Sequence, residues 1–125
     1  MSTLKVRGLR HDAAASDAVN IASDGEISFN NGLLENRTAK TSSFTPDTSV
    51  EGTVYSVSGT LTLTMPAAVS GGFFTVIDAG TGTLSWGGTI KWSGGAAPTG
   101  SGITIYTFVS DGTNWYGSMA GNGYA

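Results

Sequence analysis

A chain of 125 residues with a formal net charge of −3 and no cysteine can form one domain plus an extension, and it excludes disulfides, thiolate catalysis and cysteine metal sites. Glycine numbers 19 and Ser and Thr are abundant while Lys, Glu and Leu are few, which disfavours helix and favours short strands joined by turns. Lys5, Arg7, Arg10, Arg37 and Lys40 are balanced by Asp12, Asp17, Asp24, Glu26 and Glu35, so no basic stripe suggests a nucleic-acid partner.

The opening MSTLKVRGLRHD lacks the apolar core of a secretory signal, and no later run is long enough to span a membrane; assembly in a cytoplasm without membrane insertion is the expectation. Residues 2–9, STLKVRGL, alternate Leu4 and Val6 with Lys5 and Arg7 and predict one exposed strand, with Leu9 at its end. VNIASDGEISFNNG (19–32) predicts a hairpin. A three-residue loop, Ser23 to Gly25, sets Ile21 opposite Ile27 and Val19 opposite Phe29, with the apolar residues on one face. One hairpin is not stable alone in water, so that face must pack on something else. Residues 33–50 lose the alternation, and Pro46 with its Ser/Thr neighbours predicts a loop. The expected organisation is an arm over 1–35, a linker over 36–50 and a β-sandwich over 51–125.

EGTVYSVSGTLTLTM (51–65) predicts a second hairpin, with Val57 across from Leu61 and Tyr55 across from Leu63. FFTVID (73–78) predicts an interior strand, since apolar residues occur on both faces. LSWGGTIKW (84–92) predicts a tight hairpin around Gly87-Gly88, and ITIYTFVSDGTNWYGSM (103–119) one around Asp111-Gly112 that pairs Phe108 with Trp115. GNGYA is expected to be a tail. This density of short strands predicts an all-β chain: a small antiparallel sandwich or jelly-roll-like domain after an extended arm.

A two-residue turn at Gly87-Gly88 puts Leu84 and Trp86 on one face and Ile90 and Trp92 on the other. A hairpin apolar on both faces needs a second cover, and copies of the same chain are the economical one. Trp86, Ile90 and Trp92 are therefore the candidate oligomer interface. If instead the strand runs on through a bulge, both rings face one way and that argument weakens.

No catalytic set emerges. His11 is the single histidine and lies in a polar segment, so no Ser-His-Asp triad can be assembled around a second candidate. Asp47, Glu51, Asp78 and Asp111 are scattered along the chain. The two Ser-Asp-Gly segments lack the acid series of a calcium loop, and the glycine runs lack the Gly-Lys-Ser/Thr of a phosphate loop. The expectation is a non-enzymatic protein without metal or cofactor. Tyr106, Trp115 and Tyr116 are the candidates for surface recognition of a host glycan by ring stacking, as in a carbohydrate-binding module, against the plainer account of core or interface packing.

The opening, MSTLKVRGL followed by VNIASDGEISF, resembles the start of small virion proteins of tailed bacteriophages of the cyanophage and marine-phage type. The closing stretch, with its Trp92–Thr99 segment WSGGAAPT and its final Trp115-Tyr116-Gly117, resembles a β-domain found at the C-termini of phage tail-fibre proteins. The resemblance implies a virion structural protein, a short homotrimeric tail fibre. Its N-terminal segment (Leu4, Val6, Leu9, Val19, Ile21, Ile27, Phe29) would dock on capsid, tail or baseplate proteins, and its β-domain would project toward the host. No shaft repeat lies between residues 33 and 50, which leaves a head fibre or a capsid decoration (cement) protein as the alternative.

Overall fold

Every run of alternating or β-branched residues in the second half of the chain becomes a strand, and no helix occurs among the described residues. The computed structural model describes residues 35–125 throughout. Before them it describes the strands β1 (Gly8–Leu9), β2 (Val19–Ile21) and β3 (Ile27–Phe29). These three form an antiparallel sheet in the order β1-β2-β3 within a first unit, Met1–Leu34. Its register pairs Val19 with Phe29 and Ile21 with Ile27, as the alternation predicts. Leu4 and Val6 lie outside the described residues. Leu9, Val19, Ile21, Ile27 and Phe29 are placed by their strands alone.

The second unit, Glu35–Ala125, holds the remaining strands: β4 (Arg37–Lys40), β5 (Val54–Val57), β6 (Leu61–Thr64), β7 (Ser70–Asp78), β8 (Leu84–Gly87), β9 (Ile90–Trp92), β10 (Ile103–Asp111) and β11 (Trp115–Tyr124). The all-β expectation holds, but the pairing is mixed rather than antiparallel. A six-stranded sheet runs β4-β5-β7-β10-β11-β9, and a two-stranded sheet pairs β6 with β8. The chain winds in successive turns. Each crosses the large sheet, turns a corner, crosses the small sheet and returns, so β4, β5 and β7 stack in parallel, as do Phe44, β6 and β8.

Several expectations fail here, each for a physical reason. Residues 36–50 are not a linker: β4 donates and accepts backbone hydrogen bonds along β5, and Phe44 bridges to Leu63 and packs on the core. Residues 51–65 are not a hairpin: β5 pairs with β4 and β7, while β6 pairs with β8. The Gly87-Gly88 hairpin is also absent, because β8 stays on β6 and β9 crosses to pair in parallel with β11. Gly59 and Gly88 lie at the two corners with φ of +86° and +84°, values a side chain resists, so each redirects the chain between sheets instead of reversing it.

The last hairpin exists with a different register. Ser110 pairs with Trp115, and Phe108 with Gly117. Asp111 Oδ1 accepts hydrogen bonds from the backbone of Thr113 at 2.8 Å and Asn114 at 2.7 Å, which widens the loop beyond a two-residue turn. GNGYA is not a tail, since β11 continues along β10 to Tyr124.

The core lies between the two sheets. Tyr55, Val57, Phe74, Val76, Tyr106, Phe108 and Trp115 point inward from the large sheet to meet Leu61, Leu63 and Met65. Stacked turns set like with like: Tyr55, Val76 and Tyr106 share one register row, and Phe44, Leu63 and Trp86 another. Each fully buried aliphatic or Phe side chain is worth about 1.5–3 kcal/mol over leaving it exposed.

Candidate functional site

Strand alternation gives the large sheet a second, outward face. In β10 the side chains of Thr104, Tyr106, Phe108 and Ser110 are buried, so Ile105, Thr107 and Val109 point the other way. Register places Val109 directly beside Phe73 of β7 on one side and Tyr116 of β11 on the other, and Tyr116 beside Lys91 of β9. Phe73, Val109 and Tyr116 are 57%, 53% and 43% exposed. They form one apolar row across three strands, ended by a single cation. Behind it runs a row of hydroxyls, Thr75, Thr107 and Ser118, in which the Thr107 and Ser118 oxygens share a hydrogen bond at 3.0 Å. An open depression of about 520 Å³ lies on this face between Lys91, Ser93, Thr107, Val109, Tyr116 and Ser118.

Tyr116 is held in place on this face. Its hydroxyl donates to Asp111 Oδ2 at 2.9 Å. The two turn amides, Asn114 first, hold the Asp111 carboxyl below its ordinary range, and the hydrogen bond to Asp111 raises the Tyr116 phenol in return. The ring therefore presents a fixed apolar edge beside Val109.

The expected recognition platform does not form. Tyr106 and Trp115 are only 3% and 5% exposed, on the core side of the sheet, and the Trp115 indole donates to the Pro66 carbonyl at 2.8 Å. Of the three, Tyr116 alone is exposed. Strand alternation sends its neighbour Trp115 to the opposite, buried face of β11.

The expected oligomer interface loses its premise as well. Trp86 and Trp92 do not point to opposite faces. Their ring centroids lie 5.1 Å apart at 64°, and both rings pack against Tyr106 and Phe108. Ile90 joins them at the edge of the same core. All three residues are partly buried within one chain.

A second polar cluster sits at the first turn, where Lys40 pairs with Glu51 and lies over the Phe44 ring, 5.2 Å from its centroid. Beneath it the Tyr55 hydroxyl is buried without a hydrogen-bond partner among the described residues. Among those residues, no group of three His, Cys, Asp or Glu side chains could hold a metal ion. His11 lies outside them.

What fold and face define is an all-β domain of stacked parallel turns closed by an antiparallel hairpin, with an exposed apolar row on its larger sheet. No family model, curated protein or solved structure matches the chain.

Proposed function

We propose that the chain is a non-catalytic structural component of a tailed-bacteriophage particle. It would act as a short homotrimeric fibre whose residues 1–35 attach to the virion and whose β-domain stands outward toward the host surface. The observation that supports an assembly role is the row Phe73–Val109–Tyr116 on the outer face of the large sheet. A contiguous apolar row on a flat sheet is covered most economically by another protein surface. Lys91 at one end of the row and the Asp111 carboxylate held by Tyr116 place opposite charges at its rim, which a second copy can meet with complementary groups. This row replaces Trp86, Ile90 and Trp92 as the surface between copies. The assignment to a phage particle rests on the resemblance of the opening and closing segments.

The test is assembly. Removing residues 1–32 leaves Glu35–Ala125 with its own core, so the truncated protein should fold yet fail to join particles in a complementation assay scored by virion composition. Incorporation at the full-length copy number would overturn the anchoring role.

A further inference from the structure

Away from the outer face, a second hollow of about 380 Å³ opens beside β8 and β10, a size at the lower end of small-molecule sites. Asp78 at the end of β7, Thr83 and Trp86 on the second sheet's side, Pro98 and Thr99 from the loop before β10, and Tyr106 supply its chemistry.

Four features define what fits. Asp78 is only 9% exposed, and its Oδ1 accepts from the Gly80 amide at 3.0 Å while Oδ2 has no donor among the described residues. A carboxylate so enclosed is stabilised by further donors. Among the described residues no Lys, Arg or His lines the hollow, so an anion would meet the Asp78 charge there without a compensating cation. Trp86 and Tyr106, with centroids 4.9 Å apart at 74°, form an angled apolar wall. Burial first, then the Asp78 charge, raises the Tyr106 phenol above its ordinary value, and a phenolic hydroxyl can both donate and accept. Carboxylate acceptor, hydroxyls and aromatic wall without a cation together suit a neutral polyol that has one C–H face.

We propose that this hollow binds a single neutral pyranose ring. Its hydroxyls donate to Asp78 and exchange hydrogen bonds with Tyr106, Thr83 and Thr99, and its C–H face lies on the Trp86 indole. The site shares no residue with the Phe73–Val109–Tyr116 row, so this assignment and the assembly reading can fail separately.

The experiment is a titration of the ¹⁵N-labelled full chain with methyl pyranosides of glucose, galactose, mannose and N-acetylglucosamine, followed by NMR into the high millimolar range. Saturable shifts of the Trp86 indole N–H and of the Thr83, Thr99 and Gly100 amides are expected for at least one sugar. Asp78→Asn should weaken binding about tenfold or more, the loss of a hydrogen bond to a charged group. Ala97→Trp, an exposed change at the rim, should block binding without disturbing the remaining spectrum. A trisaccharide ending in the same ring should bind at least as well, and tighter binding would identify a glycan chain end as the source. No saturable shift with any pyranoside, shifts unaffected by both variants, or binding of choline in place of sugars would overturn the proposal.

Discussion

The indoles of Trp86 and Trp92 meet edge to face at 5.1 Å inside a single chain, although the residues sit on strands that belong to different sheets. β8 pairs with β6 and β9 with β11, so this contact fastens the small sheet to the edge of the large one. Phe108 and Tyr106 complete the cluster from the large sheet.

Trp92→Ala should therefore act on stability and leave association unchanged. The expected loss is about 2–4 kcal/mol, reading partial burial against the roughly 3–5 kcal/mol of fully buried aromatic truncations. Urea unfolding followed by circular dichroism measures it. A loss below about 1 kcal/mol would remove this cluster from the account.

Gly117→Ala probes the same cluster from the opposite strand. A methyl there would stand 2.9 Å from both the Phe108 and Trp92 rings and 3.0 Å from Ile90 Cγ2. Overpacking of this kind costs about 1–3 kcal/mol, and the midpoint of thermal unfolding should fall accordingly.

How much of this was legible in the sequence depends on whether a partner is local. The β2–β3 register followed from a three-residue loop and the alternation beside it, because both strands lie within one short segment. Tyr55, Val57, Leu61 and Leu63 do not face one another across a hairpin as the alternation predicts, yet all four are buried. Their strand partners were not legible. A period of two says which side chains share a face, but it is silent on whether the neighbouring strand is the next in sequence or one turn of the chain away. The Phe73–Val109–Tyr116 row was hidden for the same reason, since it spans three strands and needs two registers. Apolar residues on both faces of FFTVID were its one trace in the sequence. Asp78 looked isolated because Tyr106 reaches it only through the β7–β10 register and Trp86 only from the other sheet.

Tyr55 gives an alkaline test. Burial, and then the charge of Glu51, pushes its phenol up from 10.0 to about 12. The folded chain keeps the proton that the unfolded chain releases, so the stability it contributes is full below pH 10 and is lost as pH rises toward 12. Tyr55→Phe should remove that loss. At neutral pH it should be neutral or stabilising by about 1 kcal/mol, because the hydroxyl is buried without a partner among the described residues. A clear destabilisation at neutral pH would mean that the hydroxyl is satisfied after all.

Glu51 gives the acid counterpart. Its hydrogen bond to Lys40 is the main influence holding its carboxyl below the ordinary 4.5. Its contribution is present above pH 4.5 and lost as pH falls through the lowered value. The pair is partly exposed, so the effect should not exceed about 1 kcal/mol. Glu51→Gln should flatten the acid limb of the stability–pH curve by that amount, and an unchanged limb would show the pair to be idle.

The most direct measurement is the mass of the full chain in solution, by sedimentation velocity across the micromolar range, beside Val109→Asp. A charge in the middle of the outer row leaves the core untouched, because Val109 points away from it. The unaltered protein should sediment at three times the 12.7 kDa chain mass and the variant at the single-chain mass, with the same circular dichroism. A single-chain mass for the unaltered protein, or a variant that associates as before, would rule out the outer row as the surface between copies.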